Sequence, residues 1–198
     1  MSLDQEHLEA ARRTAADAVR ELTASGVPER AIELVRPALT TITLDPAGKL
    51  YWPNPAGKPA WILPVRTADL AYPAEWIEVG DPEDIISRGP ILDMIAFAPS
   101  RPRCWALRLG EAPVLGVIEP QYLRPDPVLI HRDIVTWLRA GCRGIMLLTR
   151  DPYEAGRILR QCEIVEVEDA AHKAELDRLI NLPPYVGTKV RVQPRRAA

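Results

Sequence analysis

Between residues 113 and 181 the chain alternates short apolar runs with helical segments, and each of those segments follows an aspartate. "PVLGVIE" reads as a buried strand ending at Glu119, and "PVLIHR" as a second strand. "DIVTWLRAG" reads as a helix capped by Asp133 and closed by Gly141. "RGIMLLT" is a strand that delivers Asp151, and "PYEAGRILRQC" is a helix with Pro152 in its first turn. "EIVEVE" is a further strand, and "DAAHKAELDRLI" a helix capped by Asp169. A helix between two strands carries the chain back to the end of the sheet where it started. The alternation therefore predicts an α/β fold (α+β over the whole chain), with a small parallel, Rossmann-like sheet and flanking helices. Glu119 and Asp151 are then expected at the same carboxyl-terminal edge, with a pocket between them, because open α/β sheets bind ligands there.

The preceding half has a different grammar. Ser2 and Gln5 form a capping-box pair, and Leu8, Ala11, Ala15, Ala18, Val19 and Leu22 keep helical spacing as far as the Ser25-Gly26 stop. Pro28 opens a second short helix that Pro37 ends. Two similar turns follow, "DPAGK" at 45–49 and "NPAGK" at 54–58. Proline at the second turn position and a following glycine make them hairpin turns, so 39–65 is expected to be a three-stranded antiparallel meander. "GDPEDII" marks a helix start at Asp81, and "PILDMIAFAP" reads as a short apolar helix. The expected division is an accessory region at 1–99, an α/β domain at 100–184 and a basic tail at 185–198.

Charge follows the same division. Residues 1–99 carry a net −6 and residues 100–198 a net +4, so an acidic half that can dock a partner precedes a half that can attract phosphate. Cys104, Cys142 and Cys162 are scattered, with no C-x-x-C pair, and imply neither a disulfide framework nor a zinc site. No apolar run reaches membrane-spanning length and the first residues are acidic, so a cytoplasmic protein is expected. No P-loop, G-x-G-x-x-G or G-x-S-x-G motif occurs. His131 stands at a strand–helix junction from which it could meet Asp151, although capping is the usual role of a junction histidine. Trp105 and Trp137 fall in apolar patterns and are expected in the core.

The segment Asp151-Pro152-Tyr153-Glu154-Ala155-Gly156-Arg157, with Glu119 ending an earlier strand, resembles the Toprim domain of primases and topoisomerases. In that family a strand-end glutamate and a D-x-D pair hold Mg²⁺. "PILDMIAFAPSRPRCWALRLGEAPVLG" is also similar to the connector before such domains in phage and mobile-element primase-like proteins. The resemblance implies a replication context, with DNA or a replication protein as partner. Here the second aspartate position is Tyr153, and a phenol is a poor ligand for a hard cation. Glu119 lies 32 residues before Asp151, too close for the usual intervening helix, and Pro120 follows it.

The expected function is accordingly a non-catalytic Toprim-like accessory or interaction protein, with no cofactor. One alternative is a Mg²⁺-dependent nuclease or primase-type nucleotidyl domain using Glu119, Asp151 and Glu154. Another is an assembly module that docks through its acidic half. Arg101, Arg103 and Arg108, with Lys189, Arg191, Arg195 and Arg196 in the tail, are the candidate phosphate contacts.

Overall fold

A computed structural model describes residues 2–66, 91–116 and 127–183, apart from the side chains of 16 and 17. The helix start at Asp81, Glu119 and the basic tail lie outside the described residues. Three helices come first: α1 (Leu3–Arg13), α2 (Ala16–Ala24) and α3 (Glu29–Val35). The strands β1 (Ala38–Leu44), β2 (Tyr51–Pro53), β3 (Lys58–Arg66), β4 (Ile91–Ala98) and β5 (Arg101–Leu107) follow. They form one antiparallel sheet in the order β2-β1-β3-β4-β5. The second sheet draws on β6 (Val114–Leu115), β7 (Val128–His131), β8 (Ile145–Leu147) and β9 (Val165–Val167). Its helices are α4 (Ile134–Arg139), α5 (Pro152–Leu159) and α6 (Ala170–Ile180).

The capping box forms as read, with Ser2 accepting the Gln5 N–H and Gln5 accepting the Ser2 N–H. The long helix expected behind it is broken at Thr14. That residue donates its hydroxyl to the Ala10 carbonyl at 2.9 Å and accepts the Leu39 N–H at 2.8 Å, tying the helix end to β1. Both Asx-Pro-Ala-Gly segments are turns. Asp45 Oδ1 accepts the Lys49 and Leu50 N–H groups, and Gly48 takes the left-handed φ of +65° that this tightness demands.

The meander is only part of the first sheet, because "ILDMIAFA" is β4 and not a helix. This corrects the sequence reading, and the reason is burial on both faces. Ile95 and Phe97 pack into one core, and Ile91, Met94 and Ala96 into another under α1. A continuous apolar run carries no periodicity that separates a doubly buried strand from a buried helix. The β4–β5 hairpin also runs across the boundary that the sequence suggests at residue 99.

The second sheet has the order β6-β8-β7-β9. β8, β7 and β9 are parallel, as the alternation requires. α4 packs its Ile134, Val135, Trp137 and Leu138 into the core shared with the first sheet, while α5 and α6 cover the other face with Ile158, Leu159 and Leu176. The expectation that 113–119 runs parallel to 143–149 is overturned: β6 pairs antiparallel with β8, Val114 opposite Leu147 and Leu115 opposite Met146. β6 arrives from the first sheet by a tight loop, so no helical crossover forces its direction. The strand then stops at Gly116, whose φ of +92° is left-handed.

That loop is organised by Asp93, a fully buried residue in β4. Its Oδ1 accepts the N–H groups of Met94, Arg108 and Leu109 at 2.7, 3.0 and 2.9 Å. Its Oδ2 accepts those of Glu111 and Ala112 at 2.8 and 3.3 Å. One carboxylate thus satisfies five backbone donors and sets where the chain enters the second sheet.

Candidate functional site

β8 opens onto Leu148, Thr149 and Arg150 before reaching Asp151. Leu148 and Thr149 both donate their N–H to the Pro113 carbonyl, at 2.8 and 2.9 Å, which locks the exit from β8 to the entry of β6. Asp151 is the N-cap of α5: its Oδ1 accepts the Tyr153 N–H at 2.9 Å, and Pro152 fills the first helical position. The Asp151 N–H donates to Thr149 Oγ1 at 3.2 Å, and the Thr149 hydroxyl donates to Glu154 Oε2 at 2.5 Å. The two acids of the motif are therefore engaged in holding the strand–helix junction. Tyr153, at the metal-binding position of the resembled motif, is exposed.

Gly156 has a packing role. A Cβ at this position would run into the Leu179 carbonyl of α6, so the glycine allows α5 and α6 to approach closely. It lies in the middle of the helix, away from the N–H groups at its start that could cradle a phosphate.

A cleft of about 400 Å³ lies beside the junction. Its walls come from the β1–β2 turn, the end of β5, the loop to β6 and the residues leaving β8. Leu50, Leu107, Ala112 and Leu148 contribute apolar lining, and Lys49, Glu111, Arg150 and Glu154 contribute charge. The Arg150 guanidinium stands 5.1 Å from the centroid of the Trp105 ring, a cation–π contact at the cleft wall. Trp105, expected in the core, is only half-buried, whereas Trp137 is buried and donates its indole N–H to the Gly144 carbonyl at 3.0 Å. Asp45 also lines the cleft, and the Leu50 and Lys49 N–H groups hold its carboxyl below the usual carboxylate range.

Of the arginines proposed for phosphate, Arg101 and Arg103 are exposed on β5, the edge strand of the first sheet. Arg108 is separated from them by its pairing. Its Nε donates to both oxygens of the buried Glu6 carboxylate at 3.2 Å, fastening α1 to the loop that follows β5.

His131 turns towards β9 and does not meet Asp151. Its Nε2–H donates to the Arg143 carbonyl at 2.9 Å, and its Nδ1 stands 4.0 Å from Glu168 Oε1. Next to it, Arg132 donates to Asp169 Oδ2 at 2.7 Å. Asp169 caps α6 by accepting the His172 N–H at 2.7 Å; that bond, with the Arg132 charge, lowers its pKa. Burial lowers the pKa of His172. Asp169 is the cap that the sequence places there, and the β7–β9 pairing brings it and Glu168 beside His131 and Arg132. Among the described residues no three histidine, cysteine or carboxylate side chains are grouped so as to hold a metal ion.

No family model matches this chain, and neither a curated protein nor a solved structure shows significant similarity to it. Among the described residues no helix is long and apolar enough to cross a membrane.

Proposed function

We propose that this chain is a non-catalytic accessory protein that associates with nucleic acid. The observation that carries the non-catalytic part is the engagement of Asp151. Its carboxylate accepts an N–H of the helix it precedes, the arrangement of a structural cap. Glu154 is clasped by Thr149, and Gly156 serves helix packing, so these positions of the segment also have a local structural use. Metal-assisted phosphoryl chemistry instead asks for several carboxylates directed at one ion. A Toprim-type lineage is not required for this role, and the antiparallel entry of β6 departs from the sheet that the resemblance implies.

The nucleic-acid part rests on charge. Arg101 and Arg103 project from an exposed strand, and the chain beyond residue 100 is basic overall. Calorimetric titration with Mg²⁺ and Mn²⁺ into the full chain tests the first part. Near millimolar metal, no one-site isotherm is expected. An isotherm that Asp151→Asn abolishes would establish a working metal site and overturn the proposal.

A further inference from the structure

The geometry points to the cleft between the two sheets as the site that takes single-stranded nucleic acid, with a base on the Arg150–Trp105 ledge and phosphates on Lys49, Arg101 and Arg103. This rests on the nucleic-acid reading above and specifies where and in what form the ligand binds. Three observations converge on it. Arg150 makes its contact through the Trp105 ring and stays exposed at the cleft wall. A guanidinium stacked on an indole presents a flat cationic surface, on which a further aromatic ring can stack.

The second observation is continuity. Trp105 belongs to the same edge strand as Arg101 and Arg103, so exposed cations lead along β5 to the aromatic residue. Lys49, on the β1–β2 turn, lies beside the end of that strand, its carbonyl accepting the Leu107 N–H at 3.0 Å. A cationic track that ends at an aromatic platform is how proteins hold unpaired strands, since every base has a face to stack and every nucleotide a phosphate. A duplex keeps its bases stacked inside and cannot use the platform.

The third observation concerns the acids of the cleft and the cations that offset them. Asp45 accepts the Lys49 and Leu50 N–H groups, and Glu154 accepts the Thr149 hydroxyl, so both carboxylates face nearby donors but keep their charge. With Glu111 they set three carboxylates against Lys49 and Arg150 in the cleft, so the net attraction for phosphate comes from the exposed Arg101 and Arg103 along the strand.

The test is fluorescence anisotropy of the full chain with a fluorescein-labelled oligothymidylate of about fifteen nucleotides, at about 50 mM and about 200 mM salt. Weak, salt-sensitive binding is expected, together with poorer binding of a duplex of equal length. Lys49→Glu combined with Arg150→Glu should weaken binding at least about tenfold, and Trp105→Leu should do so by loss of stacking. Both Lys49 and Arg150 are exposed, so the charge-reversed variant should stay folded, which a thermal melt checks before its binding is compared with wild type. Binding within about twofold of wild type in that variant would overturn the cleft site and leave the nucleic-acid role standing. Tighter binding of the duplex would likewise overturn it. No binding of either probe at the lower salt would remove the nucleic-acid role itself.

Discussion

Asp93 offers the sharpest test of how the two sheets are joined. Five backbone N–H groups converge on its buried carboxylate, three on Oδ1 and two on Oδ2. In Asp93→Asn the amide oxygen can replace Oδ1, but the NH₂ group then faces the Glu111 and Ala112 N–H groups. Two hydrogen bonds to a charged group are lost, and two donors are set against a third. At about 1.5–3 kcal/mol per hydrogen bond to a charged partner, with partial relief from local movement, the cost should be about 2–4 kcal/mol. Asp93→Ala removes the acceptor for all five donors, of which the Arg108 N–H keeps the Met94 carbonyl at 2.8 Å, and should cost more, about 4–6 kcal/mol, a large part of the ~5–15 kcal/mol that stabilises a typical domain. Urea unfolding followed by circular dichroism measures both. With a slope of about 2 kcal/mol per molar, Asp93→Asn should lower the midpoint by about 1–2 M without changing the slope. A midpoint within about 0.25 M of wild type would show that the loop does not depend on this carboxylate, and the reasoning would fail.

Asp151→Ala should cost about 1 kcal/mol through loss of the cap, whereas Asp151→Asn should be nearly neutral because asparagine caps equally well; equal losses in thermal unfolding would argue against capping. Gly156→Ala should lower stability by about 1–3 kcal/mol although alanine favours helix, since the new methyl meets the Leu179 carbonyl; a rise in melting temperature would contradict the close approach of α5 and α6. Burial lowers the pKa values of His7 and His172 from 6.5, so on acidification the unfolded chain takes up protons first. Their contribution is full above about pH 6.5 and is lost as pH falls through the folded values, so the urea midpoint should drop between about pH 7 and pH 5, and less so in His7→Gln. A midpoint that rises over that range would refute the assignment.

The parts of the fold legible in the sequence are those written by local chemistry. Asp133, Asp151 and Asp169 each cap the helix that follows them, Ser2 and Gln5 close their box, and the proline–glycine turns bend where expected. What escaped depends on distant partners. "ILDMIAFA" becomes a strand because two cores claim its two faces, and the direction of β6 follows from a loop pinned by a residue in β4. The candidate site divides in the same way. Asp151 and Glu154 stand where the sequence places them, and each carboxylate accepts a hydrogen bond from its own strand–helix junction. The Arg150–Trp105 ledge joins residues 45 positions apart, and no spacing rule announces such a pair.

The antiparallel entry of β6 also bears on how the molecule is made. The edge strand of the second sheet is handed over by the first, through a loop whose amides close on β4. A fragment beginning at residue 100 would have neither Asp93 to shape that loop nor β4 to pair with β5. Cut there, the α/β half should not stand as an excisable unit, although its strand–helix alternation looks self-sufficient. Synthesis from the amino end delivers β4 before the loop and β6, so the residue that shapes the loop is already made when the second sheet's edge strand emerges.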